Sequence, residues 1–511
     1  RMGRPANLFA TTSSVRPREK LSGCLIHYQD EPRYWEALCR RIEDKLSLRQ
    51  QILYLVPQKQ YLHYRLGQLR QRFSSSIAVW DASSTAKQQF KVWEMIKNGE
   101  AQMVIGVRSA VFAPLPNPGL LIVEEEDNSL YKQEQGPFYH AREVALMRSK
   151  IQGCELMLTS RTPSLEAVAL SKTQKFSLEF IPTQRSLPKT QVINPAEYRR
   201  RYHRLLLSAP LQEIISRWLI QNKRVILFIN RKGFSTAARC PSCGFSQRCP
   251  RCDINLTFHY DKHKLVCRYC SFSAEPVELC PQCKRDYLRY SGAGAEKLES
   301  EAHRLFPQAR IIRWESGKAA PAEDFNILIT TQVILSRPAP PTGDCVVVLQ
   351  VDSLLNRLDF RAAEKTFALL TRLMALTKEQ IILQSHNEEH YTLKLALKND
   401  FAKFYKQEMK LRRALGFPPF KHFLAVQIRG KSEARVRESG EDLFKELLDR
   451  CPKSVEVFPP QPDMPAKLRG NFRSLILLKG KDVKKINGII RKSLHAKGKK
   501  SGIIIGIDVD V

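Results

Sequence analysis

Short apolar runs, rich in leucine and β-branched residues, alternate along this chain with longer amphipathic stretches. Residues 52–56, 103–107, 120–124 and 156–159 form one set of runs, and residues 225–229, 327–330, 345–351 and 380–383 form a second. Each run is continuously apolar, the pattern of a parallel strand covered on both faces, and the intervals between runs suit helical crossovers. The pattern predicts an α/β fold with two parallel lobes, over residues 21–182 and 205–395. Residues 183–204, polar and basic with Pro188 and Pro195, read as the linker between them, and residues 1–20 as an N-terminal remnant or linker. Residues 396–511 mix helix and strand periods around a turn signal at Gly416, Pro418 and Pro419, and read as a C-terminal α+β domain.

A cysteine-rich insertion at residues 239–286 interrupts the second lobe. Its four Cys-x-x-Cys pairs are Cys240/Cys243, Cys249/Cys252, Cys267/Cys270 and Cys280/Cys283. This spacing lets two thiolates grip one tetrahedral zinc from a tight knuckle, so four pairs make two sites. Nesting is the simplest arrangement. Cys249, Cys252, Cys267 and Cys270 bracket a 14-residue ribbon, and Cys240, Cys243, Cys280 and Cys283 close around it. With thiolates in every position both sites read as structural, and His259 and His263 in the ribbon read as surface residues. The other five cysteines are scattered and read as core residues.

Composition adds a partner and a compartment. Lys plus Arg number 83 against 51 Asp plus Glu, a formal net charge of +32 in 511 residues. So large a charge favours a polyanion, nucleic acid first, although it also serves solubility. Basic clusters lie at residues 199–204, 467–473 and 484–500. No apolar run approaches the roughly 20 residues of a membrane span, and residues 1–19 lack the apolar core of a secretory signal. Clustered cysteines in such a chain predict a reducing, cytoplasmic setting.

Several segments resemble the bacterial primosomal protein N′ (PriA) family of replication-restart helicases. Phe228-Ile229-Asn230-Arg231-Lys232-Gly233-Phe234 precedes the first cysteine pair as a similar segment does in that family. Residues 104–112 are similar to its IGTRSA-type segment, and residues 131–134 and 139–142 to the stretch after its acidic box. Residues 359–364 resemble its DFR-x-x-E segment, 416–420 its proline turn, and 507–510 its closing aspartate-rich strand. The resemblance runs from about Leu21 to the C-terminus. It implies two RecA-like helicase lobes, a two-zinc insertion in the second, and a C-terminal domain. The family's 3′-end-binding domain and winged helix would precede Leu21, where twenty residues stand here, so those DNA contacts are not carried over.

The resemblance also implies where ATP chemistry would sit, and there this chain departs. A phosphate loop needs glycines and a Lys-Ser/Thr end. The matching residues 23–30 read Gly-Cys-Leu-Ile-His-Tyr-Gln-Asp, and the only Gly-Lys-Ser triplet, Gly430-Lys431-Ser432, lacks the first glycine of the pattern. The family's Asp-Glu-Glu-His box reads Glu124-Glu125-Glu126-Asp127, and its two arginine-finger positions read Leu376 and Glu379. Its coupling segment reads Thr159-Ser160-Arg161-Thr162-Pro163. An arginine finger alone is worth ~10³–10⁵ in rate. The expectation is therefore a DNA-binding replication-restart protein with two zinc ions and neither ATP nor Mg²⁺ turnover. The partners implied are forked or single-stranded DNA and primosome proteins, among them single-strand DNA-binding protein and helicase-loading factors. Residues 467–473 are similar to a basic family segment, which makes Lys467, Arg469, Phe472 and Arg473 candidate DNA contacts. An active 3′–5′ helicase with a divergent ATP site and a zinc-ribbon adaptor without DNA remain alternatives.

Overall fold

In the computed structural model the described residues are 22–510, except 82, 174–175, 199–205, 231–236, 241, 260–262, 268, 286–288, 292–293, 318, 322–323, 358 and 497–501. The N-terminal remnant, the basic cluster at 199–204, residues Arg231–Phe234 and part of the 484–500 cluster lie outside them. The chain divides into two units, residues 1–185 and 186–511.

The first unit is one parallel sheet of β1 (Gly23–Tyr28), β2 (Gln51–Leu55), β3 (Ile77–Trp80), β4 (Met103–Gly106), β5 (Pro118–Glu124), β6 (Glu155–Ser160) and β7 (Phe176–Ile181), in the order β3-β4-β2-β5-β6-β1-β7. Strand residues Ile26, Ile52, Ile105 and Ile122 pack with Tyr34, Leu38 and Ile42 of the helix Glu31–Ser47 in its core. Gly23 serves strand packing, since a Cβ there would stand 2.0 Å from the Leu156 carbonyl oxygen on β6. The lobe is α/β as expected, and the residues at the place of the family's phosphate loop contribute the strand β1.

In the second unit β8 (Lys189–Ile193), β9 (Val225–Ile229), β15 (Ile311–Trp314), β16 (Ile327–Thr330), β17 (Gly343–Leu349) and β18 (Thr377–Gln384) form another parallel sheet, ordered β15-β16-β9-β17-β18-β8. Its core joins Leu227, Ile329 and Val347 to Leu211, Ile215 and Leu298 from flanking helices. One expectation is corrected here. The segment read as linker supplies β8, which pairs with β18 from Gln380↔Lys189 to Gln384↔Ile193. A sheet edge tolerates the polar residues that made it look like a loop.

Between β9 and β15 the chain builds the cysteine-rich insertion: β10 (Ala237–Arg239), β11 (Thr257–His259), β12 (Lys264–Val266), β13 (Ser273–Ala274) and β14 (Arg289–Ser291). This antiparallel sheet runs β13-β12-β11-β10-β14, so its first and last strands are neighbours. The C-terminal α+β domain contains β19 (His422–Gly430), β20 (Glu456–Val457), β21 (Gln461–Leu468), β22 (Asn471–Gly480) and β23 (Ile503–Val509), ordered β20-β22-β19-β23 with β21 also on β22. Val436, Leu443 and Leu447 of the helix Glu433–Arg450 and Ile486 and Ile490 of the helix Val483–Ala496 pack against Leu424, Val426 and Ile476 of the sheet. The Gly430-Lys431-Ser432 triplet turns from β19 into the first of these helices, and Ser432 caps it by accepting from the Arg435 amide.

Three segments that carry the family resemblance meet in this unit. Phe360 packs against Phe417 and Phe423 with ring centroids at 5.5 and 5.8 Å. Buried Arg412 pairs with Glu364 at 2.6 Å and Glu408 at 3.2 Å, and donates to the Pro418 carbonyl at 3.2 Å. Asp510 pairs with His422 at 2.8 Å. Among the described residues, no helix is long and apolar enough to cross a membrane.

Candidate metal centres and the candidate active site

The four cysteine knuckles share one local design. In each, the residue after the second cysteine is left-handed: Gly244 (φ 75°), Asp253 (49°), Ser271 (56°) and Lys284 (54°). Its amide donates to the carbonyl of the first cysteine, at 3.0, 2.8, 3.0 and 2.9 Å respectively. In the first three knuckles the amide of that first cysteine also donates to a carbonyl five residues on, at 2.7–2.8 Å. Gly and Asp tolerate that conformation, but Ser271 and Lys284 adopt it at a cost of roughly 1–2 kcal/mol each. Coordination of a metal by the paired thiolates would offset such strain.

The knuckles come together in two sets: Cys240, Cys243, Cys280 and Cys283, and Cys249, Cys252, Cys267 and Cys270, with sulfurs in each set all within 4.8 Å of one another. Cross-knuckle sulfur separations are 3.6 Å for Cys240–Cys283, 3.5 Å for Cys243–Cys280 and 3.6 Å for Cys249–Cys270. A disulfide needs about 2.05 Å, whereas tetrahedral bonds of about 2.3 Å place sulfurs about 3.7 Å apart. The donor sets therefore fit zinc. The inner set is mostly buried; in the outer set Cys243 is exposed. Among the described residues, these are the groups whose ligand atoms stand close enough to share one ion.

The second candidate site lies at the carboxyl ends of β1, β5 and β6 in the first unit, the edge where open α/β sheets take ligands. Side chains of the lobe itself occupy it. Tyr28, ending β1, stacks on Tyr34 of the following helix with centroids 4.0 Å apart and an interplanar angle of 7°. The Tyr28 hydroxyl donates to Glu125 at 2.6 Å, and the Tyr34 and Thr159 hydroxyls lie 3.0 Å apart. A helix N-terminus ordinarily attracts phosphate. Here Asp30 caps the helix Glu31–Ser47 by accepting from the Arg33 amide at 3.1 Å, and Glu31 stands in its first turn. Both carboxylates oppose an anion.

Each residue of the acidic box is engaged. Glu124 accepts from Arg65 Nε at 2.8 and 3.0 Å, from the other end of that guanidinium, and from Tyr54 at 2.8 Å. Arg65 also holds Glu31 at 2.5 Å, and Arg161 reaches the other oxygen of Glu31 at 2.8 Å. Glu126 accepts from Arg142 at 2.8 Å and from the Ser164 amide at 2.6 Å. Asp127 accepts from Ser160 at 2.6 Å. Burial pushes the Glu124 carboxyl above its ordinary range despite the pull of Arg65. For Arg65, burial alone would lower the pKa; the Glu124 carboxylate outweighs it and holds the guanidinium well above its usual value. Burial likewise raises the phenols of Tyr28 and Tyr34. This donor set does not fit a magnesium–triphosphate: no phosphate cradle is present among the described residues here, and the carboxylates already carry cations and hydroxyls.

In the second unit, Leu376 is buried and Glu379 pairs with Lys223 at 2.7 Å. The four residues expected on DNA sit at the tip of the β21–β22 hairpin. Lys467 lies over the Phe472 ring at 5.0 Å and donates to the Pro250 carbonyl at 3.4 Å. Arg469 donates to the Tyr269 carbonyl at 3.3 Å, and Arg473 is paired with Asp463. Sequence reading missed Arg65, Tyr54, Glu31 and Arg142 as members of the buried network. The signal available was spacing: Leu62, Arg65 and Leu69 are the buried face of the helix Lys59–Arg72, and an arginine in an apolar stripe demands an internal carboxylate.

Residues 413–511 match the primosomal protein N C-terminal domain, and residues 249–274 match the PriA DNA helicase Cys-rich region domain. The chain is 30% identical over 498 residues to the replication restart protein PriA of Bacillus subtilis, covering 93% of this chain and 62% of that protein. It is 31% identical over 466 residues to that of Synechocystis sp., covering 85% and 56%. With that of Treponema pallidum identity is 31% over 494 residues, covering 93% and 74%. The chain thus spans about three-fifths of the length of the first two relatives.

Proposed function

Because this chain belongs to the family of the replication restart protein PriA, we propose that it binds forked or single-stranded DNA in replication restart and primosome assembly without hydrolysing ATP. One observation carries the non-hydrolysing half of this reading. The Tyr28–Tyr34 stack and the Arg65–Glu124 pair fill the strand ends where a phosphate loop and its Mg²⁺ would act. Leu376 and Glu379, in place of two arginines, point the same way. The two cysteine sets bind one zinc each and hold the insertion together. DNA binding rests on the net charge of +32. Lys467 and Arg469 offer phosphate their remaining N–H groups, while Phe472 and Arg473 are committed within the hairpin. The protein acts in the cytoplasm with primosome proteins, single-strand DNA-binding protein and helicase-loading factors as its partners.

The test is ATP hydrolysis with and without forked DNA, alongside fork titration at 50 and 200 mM salt. Turnover is expected to stay at background. If four phosphates are contacted, affinity should fall about a hundredfold over that salt range, since each contact contributes about −0.9 to the log–log slope. Fork-stimulated turnover surviving stringent purification would return the chain to the active helicases. Salt-independent or absent fork binding would leave a protein adaptor.

A further inference from the structure

The tip of the β21–β22 hairpin touches one metal centre in particular. Arg469 (φ 49°) and Gly470 (φ 81°) form a two-residue connection with both residues left-handed, flanked by the pair Leu468↔Asn471. This turn presents its backbone to the knuckle Cys249-Pro250-Arg251-Cys252. The Gly470 amide donates to the Arg251 carbonyl at 2.9 Å, and the Arg469 amide lies 3.4 Å from the Cys252 sulfur. Lys467 Nζ donates to the Pro250 carbonyl, Arg469 reaches across to the Tyr269 carbonyl beside Cys270, and Leu468 packs against the cysteine cluster. Four of these contacts, Gly470 to Arg251, Arg469 to Cys252, Lys467 to Pro250 and Arg469 to Tyr269, therefore converge on the inner set from far along the chain.

We propose that the inner metal centre is a latch between the cysteine-rich insertion and the C-terminal domain, with the Arg469 amide acting as an N–H···S donor to the Cys252 thiolate. The inference rests on zinc occupying the site. Zn²⁺ with four thiolates carries a net charge of −2. An amide donor and two cations from the hairpin suit that dianion far better than they suit four neutral thiols, because hydrogen bonds to a charged acceptor are about twice as strong. Donors around a metal site also retain the metal; losing one such partner typically costs 10–100-fold in affinity. Linkage is reciprocal: whatever metal gains from a docked hairpin, the hairpin gains from metal. Arg469 is thus a positioning residue for the inner site.

Release of zinc from the full-length chain to a chromogenic chelator tests this. Two phases of equal amplitude are expected, and Cys243→Ser should abolish the faster one. Leu468→Asp should accelerate the slower phase about tenfold or more and leave the faster unchanged. The pair Lys467→Glu with Arg469→Glu, altering side chains that reach solvent, should do the same with the fold retained by circular dichroism. Reciprocally, Cys252→Ser should speed hydrogen exchange at the amides of Arg469 and Gly470. An unchanged slow phase in the charge-reversed pair, with unchanged exchange at the tip in Cys252→Ser, overturns the latch while leaving the zinc reading intact. A metal-free purified protein overturns both.

Discussion

Arg65 is 1% exposed and Glu124 is fully buried, so neither charge has water to turn to if the other is removed. Breaking a buried pair on one side typically costs about 3–5 kcal/mol, whereas replacing both partners by apolar groups of similar volume is often neutral. Arg65→Met is therefore expected to destabilise the first unit by about that amount in urea unfolding, and adding Glu124→Leu should restore most of it. A double mutant no more stable than Arg65→Met would show that the pair is not self-contained. A second residue gives the unit a pH dependence. His27 on β1 lies against Phe180 of β7, and burial lowers its pKa from 6.5 to about 4. Its folded form stays neutral while the unfolded chain takes up a proton below pH 6.5. Its contribution is thus complete above pH 6.5 and lost as the pH falls toward 4, about 3 kcal/mol at most. Urea titrations between pH 7 and 4.5 should show that slope, and His27→Gln should flatten it relative to the parent.

At the level of elements, the cysteine knuckles make the sharpest claim. Each inner-set cysteine would supply one quarter of a zinc centre in a small ribbon whose buried cluster is made mostly of cysteines. Cys267→Ser is expected to reduce metal content from two zinc ions per chain to one and to expose residues 249–274 to proteolysis, with both parallel sheets intact by circular dichroism. Eight thiolates in four regular pairs were fully legible in the sequence, because coordination geometry is written in spacing. The strands were legible according to their place in a sheet. The central runs at β2, β4, β5, β6, β9, β16, β17 and β18 are apolar on both faces and announce themselves. Five parallel strands escaped the pattern: β3, β7, β8 and β15 are the four edges of the two sheets, and β1, an inner strand, was matched to the family's phosphate loop instead. An edge strand such as Lys-Thr-Gln-Val-Ile needs no unbroken apolar run, so period alone takes it for a loop. The buried ionic network escaped for a different reason. Its members come from residues 31, 65, 124 and 161, and nothing local says that they meet.

For the molecule as a whole, the balance between the retained and altered parts decides the reading. Both lobes have their parallel sheets, the insertion has all eight thiolates, and Phe360 of the second lobe forms an aromatic joint with Phe417 and Phe423 of the C-terminal domain. At the carboxyl ends of β1, β5 and β6 in the first unit, the side chains satisfy one another. That mutual satisfaction predicts a simple result at this scale: millimolar ATP with Mg²⁺ should not raise the melting temperature, because a ligand stabilises only the fold that binds it. A rise of several degrees would mean that the network opens. One topological detail bears on how such a chain tolerates so elaborate a guest. The strands β10 and β14, entering and leaving the cysteine-rich insertion, are zipped antiparallel from Ala237↔Ser291 to Arg239↔Arg289. The host lobe consequently meets more than fifty residues as though they were a narrow stem, and the closure entropy is settled at the neck rather than across the sheet. Changes at the far end of that stem are therefore expected to leave the register of β9 against its neighbours as it is.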